Sequence, residues 1–128
     1  MATDWDSLLT QGIRLFNKGE FFRCHEVLEE AWKVERGPLR VFLQALIHIA
    51  VGFYHYQRGN AVGAVRQLAK AVGKLEASLP RFAGVDTSSL NRDVCSAVLL
   101  IQAGTPLPSY PQIRSDSDGS SEDQATGP

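Results

Sequence analysis

Apolar positions along this chain recur every three or four residues, the period of helices rather than strands. Trp5, Leu8, Leu9, Ile13 and Phe16 form one face of a first helix predicted over about 4–18, capped by Thr3 or Asp4 and stopped by Gly19. A second helix is predicted over about 20–35. Gly37-Pro38 then breaks the chain, and a long third helix is predicted over about 39–58. It carries Leu43, Leu46, Ile47, Ala50 and Tyr54 on one face, with Val51, Phe53 and Tyr56 around it, as suits the central helix of a bundle. After the turn at Gly59-Asn60, Val65, Leu68, Ala69, Val72 and Leu75 mark a fourth helix over about 61–79, closed by Pro80. Beyond a loop to Ser88, a fifth is predicted over about 89–103, with Leu90, Val94, Val98 and Ile101 at core spacing. Thr105-Pro106-Leu107-Pro108 forces an extended segment. From Ser115 on, no aliphatic or aromatic side chain larger than Ala is available to bury, which predicts a disordered tail.

The pattern therefore predicts an all-α fold. Residues 1–104 form one helical domain of two hairpins plus a C-terminal helix, 105–114 an extended Pro-rich segment, and 115–128 a disordered acidic tail. The hairpins share a weak repeat at an offset of 40. Gly12 matches Gly52, Gly19 matches Gly59, Leu28 matches Leu68 and Ala31 matches Ala71. Such pairs resemble tetratricopeptide-type hairpins. The same alignment sets His25 against Val65 and Glu29 against Ala69, so packing alone would accept apolar residues where the first unit has polar ones.

Those two residues are the chain's unusual feature. At about 100° per residue, with His25 at zero, Trp32 falls at about −20°, Phe21 at −40°, Leu28 at −60°, Glu29 at +40° and Phe22 at +60°. On that reading an imidazole and a carboxylate lie within an apolar stripe walled by Trp32, Phe21 and Phe22. A buried carboxylate must be paired, hydrogen-bonded or bound to a metal. An i, i+4 His–Glu pair suits zinc, iron or manganese, but such a site needs a third donor. His48 and His55, seven apart on one flank of the third helix, are the candidates; Glu26 and Glu30 face away. The alternative is a pair that only orients helices. Arg66, Lys70 and Lys74, at i, i+4 and i+8, read as a solvated face, with an anion or acidic partner as the other reading.

Composition narrows the classes. A chain of 128 residues suits one domain. Setting aside the tail from Arg114, with one basic and four acidic residues, leaves 12 basic against 10 acidic, too even a balance for nucleic acid. Cys24 and Cys95 lack metal-type spacing and are expected as buried small residues rather than a disulfide. The acidic start has no signal-peptide pattern, and no uninterrupted apolar run reaches the roughly 18 residues of a membrane span. A cytoplasmic protein is expected.

Phe16-x-x-Gly19-x-Phe21-Phe22-x-x-His25-Glu26-Val27-Leu28-Glu29-x-x-Trp32, Phe42-Leu43-Gln44-Ala45-Leu46-Ile47 and Gly59-Asn60-x-x-Gly63-Ala64 together resemble the DUF309 family, small bacterial and archaeal proteins with plant plastid relatives. The resemblance covers about residues 5–80, leaving the fifth helix and the tail outside. It implies a helical protein of unknown function, with a His-x-x-x-Glu-x-x-Trp motif of suggested functional importance and metal binding, here His25, Glu29 and Trp32. Members often differ where this chain has His48, which weakens His48 as a ligand.

Two functional expectations follow. The first is a small metal- or ligand-binding protein, with hydrolase-like chemistry open, using His25 and Glu29. The second is a non-catalytic helical-repeat module in which the pair is structural and the partner is another protein or a second copy. No nucleophile, phosphate loop or nucleotide motif names a reaction.

Overall fold

The computed structural model describes residues 4–116; of the disordered tail expected over 115–128, Ser115 and Asp116 are instead paired with the rest of the fold, and 117–128 lie outside the described residues. The fold is all-α. Five helices, α1 (Trp5–Asn17), α2 (Phe21–Val34), α3 (Gly37–Gln57), α4 (Ala61–Leu75) and α5 (Thr87–Gln102), are joined by short connections except between α4 and α5. Asp4 caps α1 by accepting from Ser7 N at 3.2 Å, and Asn60 caps α4 by accepting from Gly63 N at 2.9 Å. Helix α3 packs between α2 and α4, and α4 in turn packs on α5. By length and hydropathy, α3 would pass as a membrane span, which no uninterrupted run suggested. Phe42, Leu43, Leu46, Ile49, Ala50 and Phe53 bury it in the centre of the bundle instead.

The 40-residue repeat is present in the backbone. Gly19 and Gly59 both have φ of +79°, the left-handed region that glycine enters without strain. Their turns close with matching bonds: Gly19 N to Phe16 O at 2.9 Å and Glu20 N to Leu15 O at 2.9 Å, against Gly59 N to Tyr56 O at 3.0 Å and Asn60 N to His55 O at 2.9 Å. Each turn folds two consecutive helices back on one another as a hairpin. The short connection between α2 and α3, which pack together, reverses the chain once more, so α2 and α4 run in the same general direction.

Two regions depart from expectation. Helix α4 ends at Leu75 and runs into a single 3₁₀ turn, Glu76–Ser78. The loop after Pro80 then forms a miniature hairpin, β1 (Arg81–Phe82) antiparallel to β2 (Val85–Asp86), turned by Ala83 and Gly84 with φ of +50° and +78°. Second, the segment after Gln102 returns across the bundle. Tyr110 packs its ring 4.9 Å from that of Phe21 and 5.3 Å from that of Phe53, and Ile113 is buried. Asn17 clamps this strap: Ile113 N donates to its Oδ1 at 2.7 Å, and its Nδ2 donates to Ile113 O at 3.0 Å. Ser115 forms a bridge to Val85, and Asp116 is ion-paired to Arg81, so both ends of the hairpin meet ordered chain.

Candidate functional site

Helix α2 buries Phe21, Cys24, Leu28 and Ala31. With His25 at zero these lie at about −40°, −100°, −60° and −120°, so the buried stripe is centred near −80°. His25 and Glu29 are consequently at its edge. Their side chains are 19% and 39% exposed, and Phe22 is 47% exposed. The expected buried carboxylate is therefore a partly solvated one. Counting Phe22 and Trp32 as core moves the apparent stripe towards the polar pair, whereas Cys24 and Ala31, both fully buried, draw it the other way. Of the expected walls, only Phe21 is buried; Trp32 is half-buried.

His25 and Glu29 do come together. Nε2 lies 3.4 Å from Glu29 Oε2, ion-pair range but long for a hydrogen bond. Nδ1 lies 3.2 Å from Phe22 O, an acceptor; with a proton on Nδ1, Nε2 meets the carboxylate as a donor only in the imidazolium. The Phe22 ring centroid lies 5.2 Å from that of His25 and 5.2 Å from that of Tyr54 of α3, tilted by 47° and 46°. The Arg58 guanidinium lies 5.7 Å from the centre of the Tyr54 ring. An exposed phenyl ring thus lies against two neighbouring rings, with a carboxylate beyond one and a guanidinium beyond the other.

The other expected ligands are engaged elsewhere. His48 Nδ1 faces Gln67 Oε1 of α4 at 2.8 Å, and His55 Nδ1 faces Asn60 Nδ2 at 3.3 Å. Among the described residues, no group of three or more His, Cys, Asp or Glu side chains is arranged to hold a metal ion. The third donor expected from His48 or His55 does not reach the pair, and two ligands do not make a catalytic metal centre.

Trp32 sits two turns along the same flank. Arg40 of α3 covers its ring at 4.1 Å and donates to Trp32 O at 3.0 Å and Glu35 O at 3.3 Å, satisfying carbonyls at the end of α2. Its indole N–H is buried without an acceptor among the described residues. Neither Arg40 nor Tyr54 was singled out from the sequence as part of this region. Both come from α3 across a chain break, and spacing within α2 carries no signal of them.

Among the described residues, clefts also lie away from the pair. One of about 380 Å³ lies between α1 and the hairpin turn, and one of about 340 Å³ lies between α5 and the strap. Another, about 470 Å³, is an apolar groove of Ala61, Val62, Val65, Ala69 and Ile101 between α4 and α5. The cysteines are unpaired: Cys24 is buried, as expected, but Cys95 is exposed on α5, because its position faces away from Leu90, Val94 and Ile101.

These features define a small all-α protein of consecutive helical hairpins with an aromatic and charged surface on α2. The chain belongs to the DUF309 family: residues 9–67 match the family described as "Domain of unknown function (DUF309)", a span that includes His25, Glu29 and Trp32. It is similar to the uncharacterized protein YpuF of Bacillus subtilis, 39% identical over 59 residues, which cover 45% of this chain and 34% of that one. It is also similar to an uncharacterized protein of Aquifex aeolicus, 24% identical over 84 residues, covering 65% of this chain and 25% of that one. The matches thus span about a third and a quarter of those curated relatives. Among solved structures, the conserved hypothetical protein TTHA0068 of Thermus thermophilus matches with a TM-score of 0.61 and 30% identity, covering 77% of this chain and 98% of that one.

Proposed function

We propose that the chain is a non-catalytic helical-repeat module, of the tetratricopeptide-like kind, that binds another protein through the surface of α2. The carrying observation is the exposed Phe22, 47% accessible and in contact with the rings of His25 and Tyr54. An aromatic ring left exposed beside charged groups has the composition typical of interface hot spots. Glu29 and Arg58 supply those charges, and the His25–Glu29 pair flanks the ring rather than holding a metal.

A photoreactive benzoylphenylalanine placed at position 22 tests this reading, with the exposed Arg14 of α1 as the control position. Discrete adducts from position 22 and none from position 14 are expected in cells expressing the chain. No adduct from 22, or the same ladder from both, would overturn it. Elemental analysis of wild type, His25→Ala and Glu29→Gln should give equal metal content. A stoichiometric metal lost in both variants would instead make the pair a metal centre.

A further inference from the structure

The 40-residue repeat extends to the outer faces of α2 and α4, and there the charges are reversed. Phe22, Glu26 and Glu30 are exposed on α2, and their equivalents Val62, Arg66 and Lys70 are exposed on α4. Arg23 and Lys33, exposed on the same side of α2, are the exceptions to the acidic pattern, Arg23 being ion-paired to Glu20 at 2.7 Å. Both sets follow i, i+4, i+8 spacing, so the charged positions on each helix are separated by the same rise of about 6 Å per step. Two helices of one direction therefore carry an apolar residue, then two charges, in the same order with opposite signs. Glu29 adds to the acidic side, where its equivalent is Ala69, and Lys74 adds to the basic side, where its equivalent is Val34.

We infer that this face pairs with a second copy of the chain, α2 of each copy lying along α4 of the other. This rests on the reading of α2 as a protein-binding surface and names its partner. A two-fold axis parallel to the helices places the two faces opposite one another, and that rotation sets each copy's α2 against its partner's α4, parallel and in register. Glu26 then meets Arg66 and Glu30 meets Lys70 of the other copy, twice over. Phe22 meets Val62 and the apolar groove formed with Val65, Ala69 and Ile101, which is where an exposed ring finds apolar surface to cover. The same operation in a single repeat unit would oppose like charges, so the reversal between units is what makes the face self-complementary. Electrostatic pairing of exposed side chains accounts for recognition and orientation, and the covered ring for the apolar area.

Light scattering on the full chain after size exclusion, at several concentrations and salt levels, measures the mass. A dimer that weakens with salt is expected. Glu26→Lys with Glu30→Lys should weaken pairing by roughly 100-fold or more, as should Arg66→Glu with Lys70→Glu, because like charges then face one another at both ends. Mixing these two variants should restore a dimer, and so should all four substitutions in one chain, provided circular dichroism shows each variant folded. A wild-type monomer at every concentration would overturn the inference, as would a dimer indifferent to the reversals, or variants that do not rescue one another. A monomer whose Lys70 cross-links to carboxylates of residues 116–123 would overturn it and put the acidic tail on the basic stripe. If self-pairing fails while position 22 still captures a different protein, only the partner is wrong and the module reading stands.

Discussion

A Cβ on Gly12 would lie 2.5 Å from Leu28 Cδ2 and 2.8 Å from its Cγ. Leu28 is itself buried at 1% exposure, so it fills the notch that the missing side chain leaves on α1. Forty residues on, a Cβ on Gly52 would lie 2.7 Å from Leu68 Cδ2 and 2.8 Å from its Cγ. Each hairpin is thus closed by the same leucine-into-glycine contact, which sets how near its two helices approach.

Gly12→Ala and Gly52→Ala should each destabilise the fold by about 1–3 kcal/mol, because overpacking outweighs the gain of up to about 1 kcal/mol in helix propensity. Gly73, also helical but with nothing within 4 Å of an added Cβ, is the control. Gly73→Ala should stabilise by about 0.5–1 kcal/mol. Urea denaturation of the three variants reads the sign directly, and a stabilised Gly12→Ala would rule out the notch.

His25 and Glu29 are at the edge of the core, so removing their pairing should matter little to folding. Glu29→Gln should change stability by no more than about 0.5–1 kcal/mol, the range of exposed ion pairs, and not by the larger loss that follows unpairing a buried carboxylate. Thermal denaturation at low and high salt measures it. A loss of several kcal/mol would place the carboxylate in the interior after all.

Asp86 caps α5, accepting from Ser89 N at 3.0 Å and from Ser89 Oγ at 2.8 Å. Those bonds, with weaker help from Arg81 and Arg114, hold its carboxyl below the usual carboxylate range despite partial desolvation. Because its folded-state pKa is below its unfolded value of about 3.9, its stabilisation is present above pH 4 and is lost as pH falls through the folded value. Asp86→Asn keeps a capping oxygen but cannot titrate. Its stability curve should be flatter than wild type below pH 4, whereas Asp86→Ala should lose about 0.5–2 kcal/mol at neutral pH.

Burial pushes the Cys24 thiol up to about 12, leaving it protonated and inaccessible at ordinary pH. Cys95 is exposed. Ellman's reagent at pH 8 should therefore titrate one thiol in the native protein and two in denaturant, and Cys95→Ser should abolish the native reaction. Two fast-reacting native thiols would contradict the packing of α2.

The five helices and the duplicated hairpin were legible in the sequence because they follow from local rules. Apolar period, capping residues and the left-handed glycines at Gly19 and Gly59 act within a few residues of one another. So did the His25–Glu29 contact, since four residues on a helix bring two side chains together whatever surrounds them. How deep that pair lies was decided by tertiary structure. Which side of α2 faces α1 and α3 depends on where Leu28 meets Gly12 and where Phe22 meets Tyr54, and these contacts join separate helices. The strap was hidden for the same reason: Asn17 and Ile113 are 96 residues apart, and nothing near either residue announces the other. The sequence by itself determined which helices form and which residues share a face; packing between helices decided which faces are buried, that His48 and His55 turn to Gln67 and Asn60, and that the polar pair is open to solvent.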